Sequence, residues 1–218
     1  MTATPRWSPR ASVPIPRGVD RFDRLVDRWF DAHMRGRAGP DRLMYTASAV
    51  GDHGLVWLAL AGLQTGRLSG PSTTHRFART AAALGVESAL VNGPVKWMFR
   101  RSRPVHDGPR PLRLRQPRTS SFPSGHATAA FFAAAVLRDG DPLWPLYYVV
   151  AVIVASSRVH VRIHHASDVF GGALIGAVLG EVARRVVSLA GVTARPDPVP
   201  AGTGPAGILS SARSLQDT

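Results

Sequence analysis

The chain has 218 residues, with 27 Lys or Arg against 14 Asp or Glu, a formal net charge of +13 and no cysteine. The missing cysteine excludes disulfides, thiolate metal sites and thiol catalysis, and the basic excess points to an anionic partner, either nucleic acid or an anionic membrane. The length suits one domain, or two small ones, with enough chain for a real core.

Residues 1–18 and 191–218 are rich in proline and lack apolar periodicity, so both are expected to be disordered tails around a domain spanning residues 19–190. No basic start followed by an apolar run and a small-residue cleavage site is present, so no removable signal peptide is expected. From Gly18 to Phe30, Val19, Phe22, Val26, Trp29 and Phe30 fall on one helical side, and Arg21, Asp23, Arg24, Asp27 and Arg28 on the other. That pattern predicts an amphipathic helix lying on a membrane or protein surface.

Five apolar stretches follow: Leu43–Leu63, Phe77–Val95, Pro123–Leu137, Leu143–Ser157 and Asp168–Ala190. A bilayer crossing takes about 20 residues, and the third and fourth stretches are shorter, at about 15. The segment LYYVVAVIVASS is apolar on every face, and Gly172, Gly176 and Gly180 recur every fourth residue, as in close-packed membrane helices. The fold expected is all-α: a multi-pass membrane helical bundle of about five transmembrane helices after the amphipathic one. A soluble Ala-rich bundle is the alternative. Ionisable residues inside such stretches are functional candidates. Glu87 and the Asp52-His53 pair qualify, the latter open between a site role and a structural hydrogen bond. Glu181 has Arg184 and Arg185 one turn on, which predicts a helix-end pair.

Three clusters carry chemistry: KWMFRRSRP from Lys96 to Pro104, SFPSGHA around Ser124, Gly125 and His126, and SRVHVRIHHASD from Ser157 to Asp168. Counting crossings, all three end on one membrane face. Lys96, Arg103 and Arg158 supply three positive charges, and guanidinium forks suit phosphate oxygens. Ser124 and Gly125 at a helix start offer a hydroxyl, free N–H groups and close backbone approach. His164 and Asp168, four apart, let the carboxylate orient the imidazole and support the charge that a His nucleophile acquires. His126 is then free to protonate a leaving oxygen. These are the parts phosphoryl transfer needs.

The three motifs resemble those of the type 2 phosphatidic acid phosphatase (PAP2) superfamily, KxxxxxxRP, PSGH and SRxxxxxHxxxD, with every fixed position matched. The resemblance implies a phosphate pocket of Lys96, Arg103, Ser124, Gly125 and Arg158. It implies His164 as the nucleophile forming a phosphohistidine, Asp168 as its partner, and His126 as the acid and later the base. It also implies that neither metal nor cofactor takes part. The function expected is a membrane lipid phosphatase acting on a lipid phosphate or diphosphate, of the phosphatidic acid or polyprenyl type. The alternatives are a decaprenylphosphoryl ribose-phosphate phosphatase of cell-wall lipid synthesis or a vanadium-haloperoxidase-like enzyme. The partners expected are the lipid phosphate and membrane lipids, with no nucleic acid; Arg110, Arg113, Arg115 and Arg118 read as juxtamembrane charges that meet anionic headgroups. The positive-inside rule puts the Arg-dense active-site face in the cytoplasm, whereas many bacterial members of that superfamily work on the outer face.

Overall fold

The computed structural model describes residues 14–68, 73–106, 112, 114, 117 and 119–193. The chain divides into a main unit, residues 1–185, and a second of residues 186–218. Most of both predicted tails, the side chain of His53, and Arg110, Arg113, Arg115 and Arg118 lie outside the described residues.

Among the described residues there are seven helices and no strand: α1 (Arg17–His33), α2 (Ala38–Val50), α3 (Leu55–Arg67), α4 (Thr73–Leu90), α5 (Gly125–Leu137), α6 (Trp144–His160) and α7 (Ala166–Thr193). α5 is the central element. It is apolar all round, and Ala127, Ala130, Phe132, Ala133, Ala134, Ala135 and Leu137 are all buried, as a helix with no polar face requires. Around it Trp57 and Ala61 of α3, Leu84 of α4, and Tyr147, Ala151 and Val154 of α6 complete the main core. The glycine repeat on α7 sets its backbone directly against α5. A methyl group added at Gly176 would sit 2.2 Å from the Thr128 carbonyl oxygen.

The bundle departs from the sequence expectation in three ways. The first apolar stretch is not one helix: α2 and α3 are joined by a 3-10 turn at Asp52–Gly54, where Gly54 takes a left-handed φ of 70°. The α1 face is also drawn differently. Asp23 and Phe30 are buried and Val19 and Val26 half-buried, at i, i+4, i+7 and i+11, while Phe22, Leu25 and Trp29 form an exposed stripe. Asp23, assigned by its charge to the polar side, therefore lies in the middle of the stripe that faces the protein. Finally, of the described helices only α7, over Ala166–Val186, is both long and apolar enough by itself to cross a bilayer.

Candidate active site

Each of the three motif clusters reaches the site through an interruption in helical structure. α4 runs into a π-turn, Val91–Val95, containing Pro94 and a non-helical Gly93, before a single helical turn, Lys96–Met98. Pro94 has no N–H to give, and such local widening re-aims the side chains that follow. Lys96 is buried, and its Nζ donates to Asn92 Oδ1 at 2.9 Å, while Asn92 Nδ2 donates to Ser88 Oγ at 3.1 Å. A methyl group at Gly125 would lie 2.9 Å from Asn92 Oδ1 and 3.4 Å from Lys96 Nζ. It is Asn92, the acceptor that holds Lys96, whose close approach to the start of α5 requires glycine there.

Ser124 caps α5: its hydroxyl accepts from Ala127 N, and its own N–H donates to the Asp168 carbonyl at 3.1 Å. At the other end of the third motif α6 stops at His160, and the chain turns through Arg162 at a φ of 51°. A non-glycine residue held there costs about 1–3 kcal/mol. The turn closes with the N–H groups of Ile163 and His164 both donating to the Arg158 carbonyl, at 3.1 and 3.2 Å, which aims His164 back into the bundle.

Arg103 Nη1 donates to His164 Nε2 at 3.0 Å, and the same guanidinium donates to the carbonyls of Ile163, Thr119 and Ser120. On the opposite edge of the ring, Nδ1 lies 3.7 Å from Asp168 Oδ2. Arginine can only donate, so Nε2 is the unprotonated nitrogen and the ring proton sits on Nδ1, towards the carboxylate. Burial pushes His164 down to about 3, with the Arg103 and Arg158 charges acting in the same direction and Asp168 opposing them. The ring is therefore neutral at physiological pH. Burial, reinforced by Arg103 and Arg158, also brings Lys96 down to about 8, and the charge of Glu87 opposes that fall.

Arg158 is fully buried, and its Nη1 donates to Ser48 Oγ on α2. His126 pairs with Asp52: Nε2 and Oδ1 are 3.1 Å apart, and the ring also meets the Ser48 backbone. The break between α2 and α3 brings the Asp52 carboxylate there, and Gly51 leaves room for the ring, since a methyl group at 51 would lie 3.0 Å from His126 Cδ2.

The structure thus gathers Lys96, Arg103 and His164 beside the start of α5, and places Arg158 and His126 on a shared neighbour, Ser48. Sequence reasoning missed Ser48, Asn92, Arg101, Ser121 and Asp23. Arg101 Nη1 donates to Asp168 Oδ1 at 2.6 Å, Ser121 Oγ donates to Asp168 Oδ2 at 2.5 Å, and the His165 N–H donates to Oδ2 at 2.8 Å. None of these contacts could be read from motif spacing, except that Asp23 falls on the apolar repeat of α1. His160 pairs with Asp41 at 2.8 Å, and Glu181 binds Arg138, Arg184 and Arg185. Among the described residues no three His, Asp or Glu side chains are gathered as metal ligands would be.

A histidine whose unprotonated nitrogen is held by an arginine, with a carboxylate near its other edge and a helix start beside it, is a set of groups that phosphoryl transfer can use. Known proteins agree. The model of the PAP2 superfamily matches residues 77–191. The decaprenylphosphoryl-5-phosphoribose phosphatase of Mycobacterium tuberculosis (strain CDC 1551 / Oshkosh) is 33% identical over 135 residues, which are 62% of this chain and 73% of that one. The undecaprenyl-diphosphatase of Sulfolobus acidocaldarius is 37% identical over 93 residues, 41% of this chain and 45% of its own. The crystal structure of Aquifex aeolicus LpxE shares the fold, with a TM-score of 0.62 at 22% identity over 80% of this chain and 99% of that one. The chain belongs to the PAP2 superfamily, and it is a phosphatase.

Proposed function

We propose that the protein is an integral-membrane enzyme that removes phosphate from a lipid phosphate or diphosphate through a phosphohistidine on His164. One observation carries this reading: the unprotonated Nε2 of His164 faces Arg103, with Asp168 behind the ring at Nδ1. The substrate phosphate takes its place among Lys96, Arg103, Arg158 and the start of α5 at Ser124 and Gly125. Arg103 transfers its Nη1 hydrogen bond from Nε2 to a phosphate oxygen. Nε2 attacks phosphorus, and an N–P bond forms as the bond from phosphorus to the leaving oxygen breaks, that oxygen being the lipid alkoxide of a monophosphate or the bridging oxygen of a diphosphate. His126 gives that leaving oxygen a proton, while Asp168 supports the positive charge on the imidazole. In the second half His126 takes a proton from water, the resulting hydroxide attacks phosphorus, the N–P bond breaks and inorganic phosphate leaves. Three cations and the α5 N-terminus stabilise the equatorial oxygens throughout, so the charge a metal would neutralise is already met.

The substrate we favour is polyprenyl-linked, on the strength of the decaprenylphosphoryl and undecaprenyl relatives. In this reading the chain crosses the membrane five times, with α2 and α3 together making the first crossing, and the Arg-dense active-site face is cytoplasmic. α1 lies along the interface, with Phe22, Leu25 and Trp29 towards lipid and Arg17, Arg21, Arg24 and Arg28 at headgroup level. The test is phosphate release from a panel of decaprenyl phosphates, undecaprenyl diphosphate and phosphatidic acid in detergent. Wild type is expected to hydrolyse at least one of them and His164→Ala none, and retained activity in His164→Ala overturns the reading.

A further inference from the structure

The carboxylate behind His164 does not stand alone. Arg101 lies between two buried carboxylates. Its Nη1 donates to Asp168 Oδ1 at 2.6 Å and to Ser167 Oγ at 2.7 Å, and its Nη2 donates to Asp23 Oδ2 at 2.6 Å. Asp23 in turn takes the Ser167 N–H at 2.7 Å and the Ser167 hydroxyl at 2.9 Å. The three charged side chains are nearly closed to solvent, at 7% exposure for Asp23, 11% for Arg101 and 0% for Asp168. Asp23 is the one member carried by α1, more than 70 residues from Arg101 in sequence, and no motif includes it.

We propose that Asp23 is a positioning residue for the phosphatase reaction, acting through Arg101 on Asp168 and so on His164. This rests on the reading of His164 as the nucleophile. The argument is one of charge and geometry. Arg101 with Asp168 alone is a neutral pair, and a guanidinium free to grip Asp168 with both its nitrogens would hold the carboxylate, already 3.7 Å from Nδ1, further from the imidazole. Asp23 occupies Nη2, leaves Nη1 for Asp168, and makes the trio carry one net negative charge next to the ring. That charge matters when His164 becomes cationic on attack, because buried charges interact strongly where water is excluded. Ser167, adjacent to Asp168 and bound by Asp23 through both N–H and hydroxyl, fixes the start of α7 to α1. α1 is thus tied to the nucleophile's partner and does more than rest on the protein.

The experiment uses the full-length protein in detergent with dioctanoyl phosphatidic acid and undecaprenyl diphosphate as probes, and compares wild type, Asp23→Asn, Asp168→Asn, the double variant and His164→Ala. At metal sites, removing a hydrogen-bond partner that orients a ligand costs about 10–100-fold, and the same order is expected of a carboxylate that acts on His164 only through Arg101 and Asp168. Asp23→Asn is expected to lower kcat by a factor in that range with KM unchanged, because Lys96, Arg103 and Arg158 still hold the phosphate. The same substitution in the Asp168→Asn background is expected to add little, since its route to His164 is already cut. A purely structural role predicts instead a lower melting temperature with an unchanged kcat per folded molecule, and a route to the reaction that bypasses Asp168 predicts kcat losses that multiply in the double variant; either result overturns the proposal. Wild-type kcat in Asp23→Asn alongside an inactive His164→Ala overturns this inference and leaves the nucleophile assignment standing. An active His164→Ala removes the basis of both. Should Asp23→Asn not fold, Asp23→Glu carries the test: a displaced carboxylate predicts a several-fold loss of kcat at unchanged KM, and wild-type kcat refutes it.

Discussion

Lys96 is the single lysine among 26 arginines, and it occupies the one cationic position of the site whose charge can be titrated in an accessible range. Held near 8 by burial and by Arg103 and Arg158, it is protonated below that pH and neutral above it. The expected kcat/KM on a lipid monophosphate therefore falls as pH rises through about 8. Lys96→Arg, permanently charged, should flatten that limb; an unchanged profile in the variant would show that another group sets it. Because kcat/KM reports the free enzyme, the comparison needs no assumption about the bound state. Asp52 permits a second residue-scale prediction. If it orients His126 for proton transfer, Asp52→Asn should cost about 10–100-fold in kcat, more for a monophosphate with its poor alkoxide leaving group than for a diphosphate. Equal losses on both substrates would place its role elsewhere. The residues named by the motifs were legible because each motif is a short stretch on one or two adjoining elements. Asp52 was legible only as an ionisable group in an apolar run. Ser48, Asn92 and Arg101 were not legible, since what distinguishes them is a partner distant in sequence or a turn that periodicity does not reveal.

The glycine repeat of α7 is the element-scale feature on which the packing depends most visibly. A methyl group at Gly176 meets the Thr128 carbonyl at 2.2 Å, and one at Gly180 meets the Phe132 carbonyl at 2.7 Å, contacts that backbone cannot relieve by a rotamer change. Gly176→Ala is expected to destabilise the protein by about 1–3 kcal/mol, read as a lower melting temperature in detergent. Activity should fall with it, because Asp168 and Ser124 lie on the same α7–α5 contact. An unaltered melting temperature would mean the helices separate more easily than the geometry implies. α1 tests a different property. Replacing Phe22, Leu25 and Trp29 with serine should reduce turnover of substrate in anionic vesicles while sparing turnover in detergent, and equal loss in both would mean the stripe packs on protein. The existence and order of the helices were legible from apolar periodicity. The break between α2 and α3 was legible only as the interruption of an apolar run by Asp52 and His53; the 3-10 turn and the left-handed Gly54 that make it were not, because the run is long enough to pass for one helix. The facing of α1 was misjudged for a related reason: a buried carboxylate satisfied by Arg101 and Ser167 looks polar in sequence and sits in the core stripe in space.

At the scale of the molecule, the +13 charge that first suggested a nucleic acid resolves into parts with different uses. Lys96 and Arg103 lie by the start of α5 and by His164, and Arg158 is buried against Ser48; Arg101 and Arg35 are spent on buried carboxylates and on backbone carbonyls, and Arg162 pairs with the exposed Asp31; and the exposed arginines of α1 face outward. The central claim is that phosphate passes through His164, and its most direct measurement is isolation of the covalent intermediate. Wild-type protein is mixed with 32P-labelled lipid phosphate, quenched in alkaline detergent and separated by electrophoresis. The account predicts label on the protein that survives alkali, is released by acid as a phosphohistidine requires, and is absent from His164→Ala. Label that persists in His164→Ala, or turnover with no labelled protein at any quench time, would contradict it.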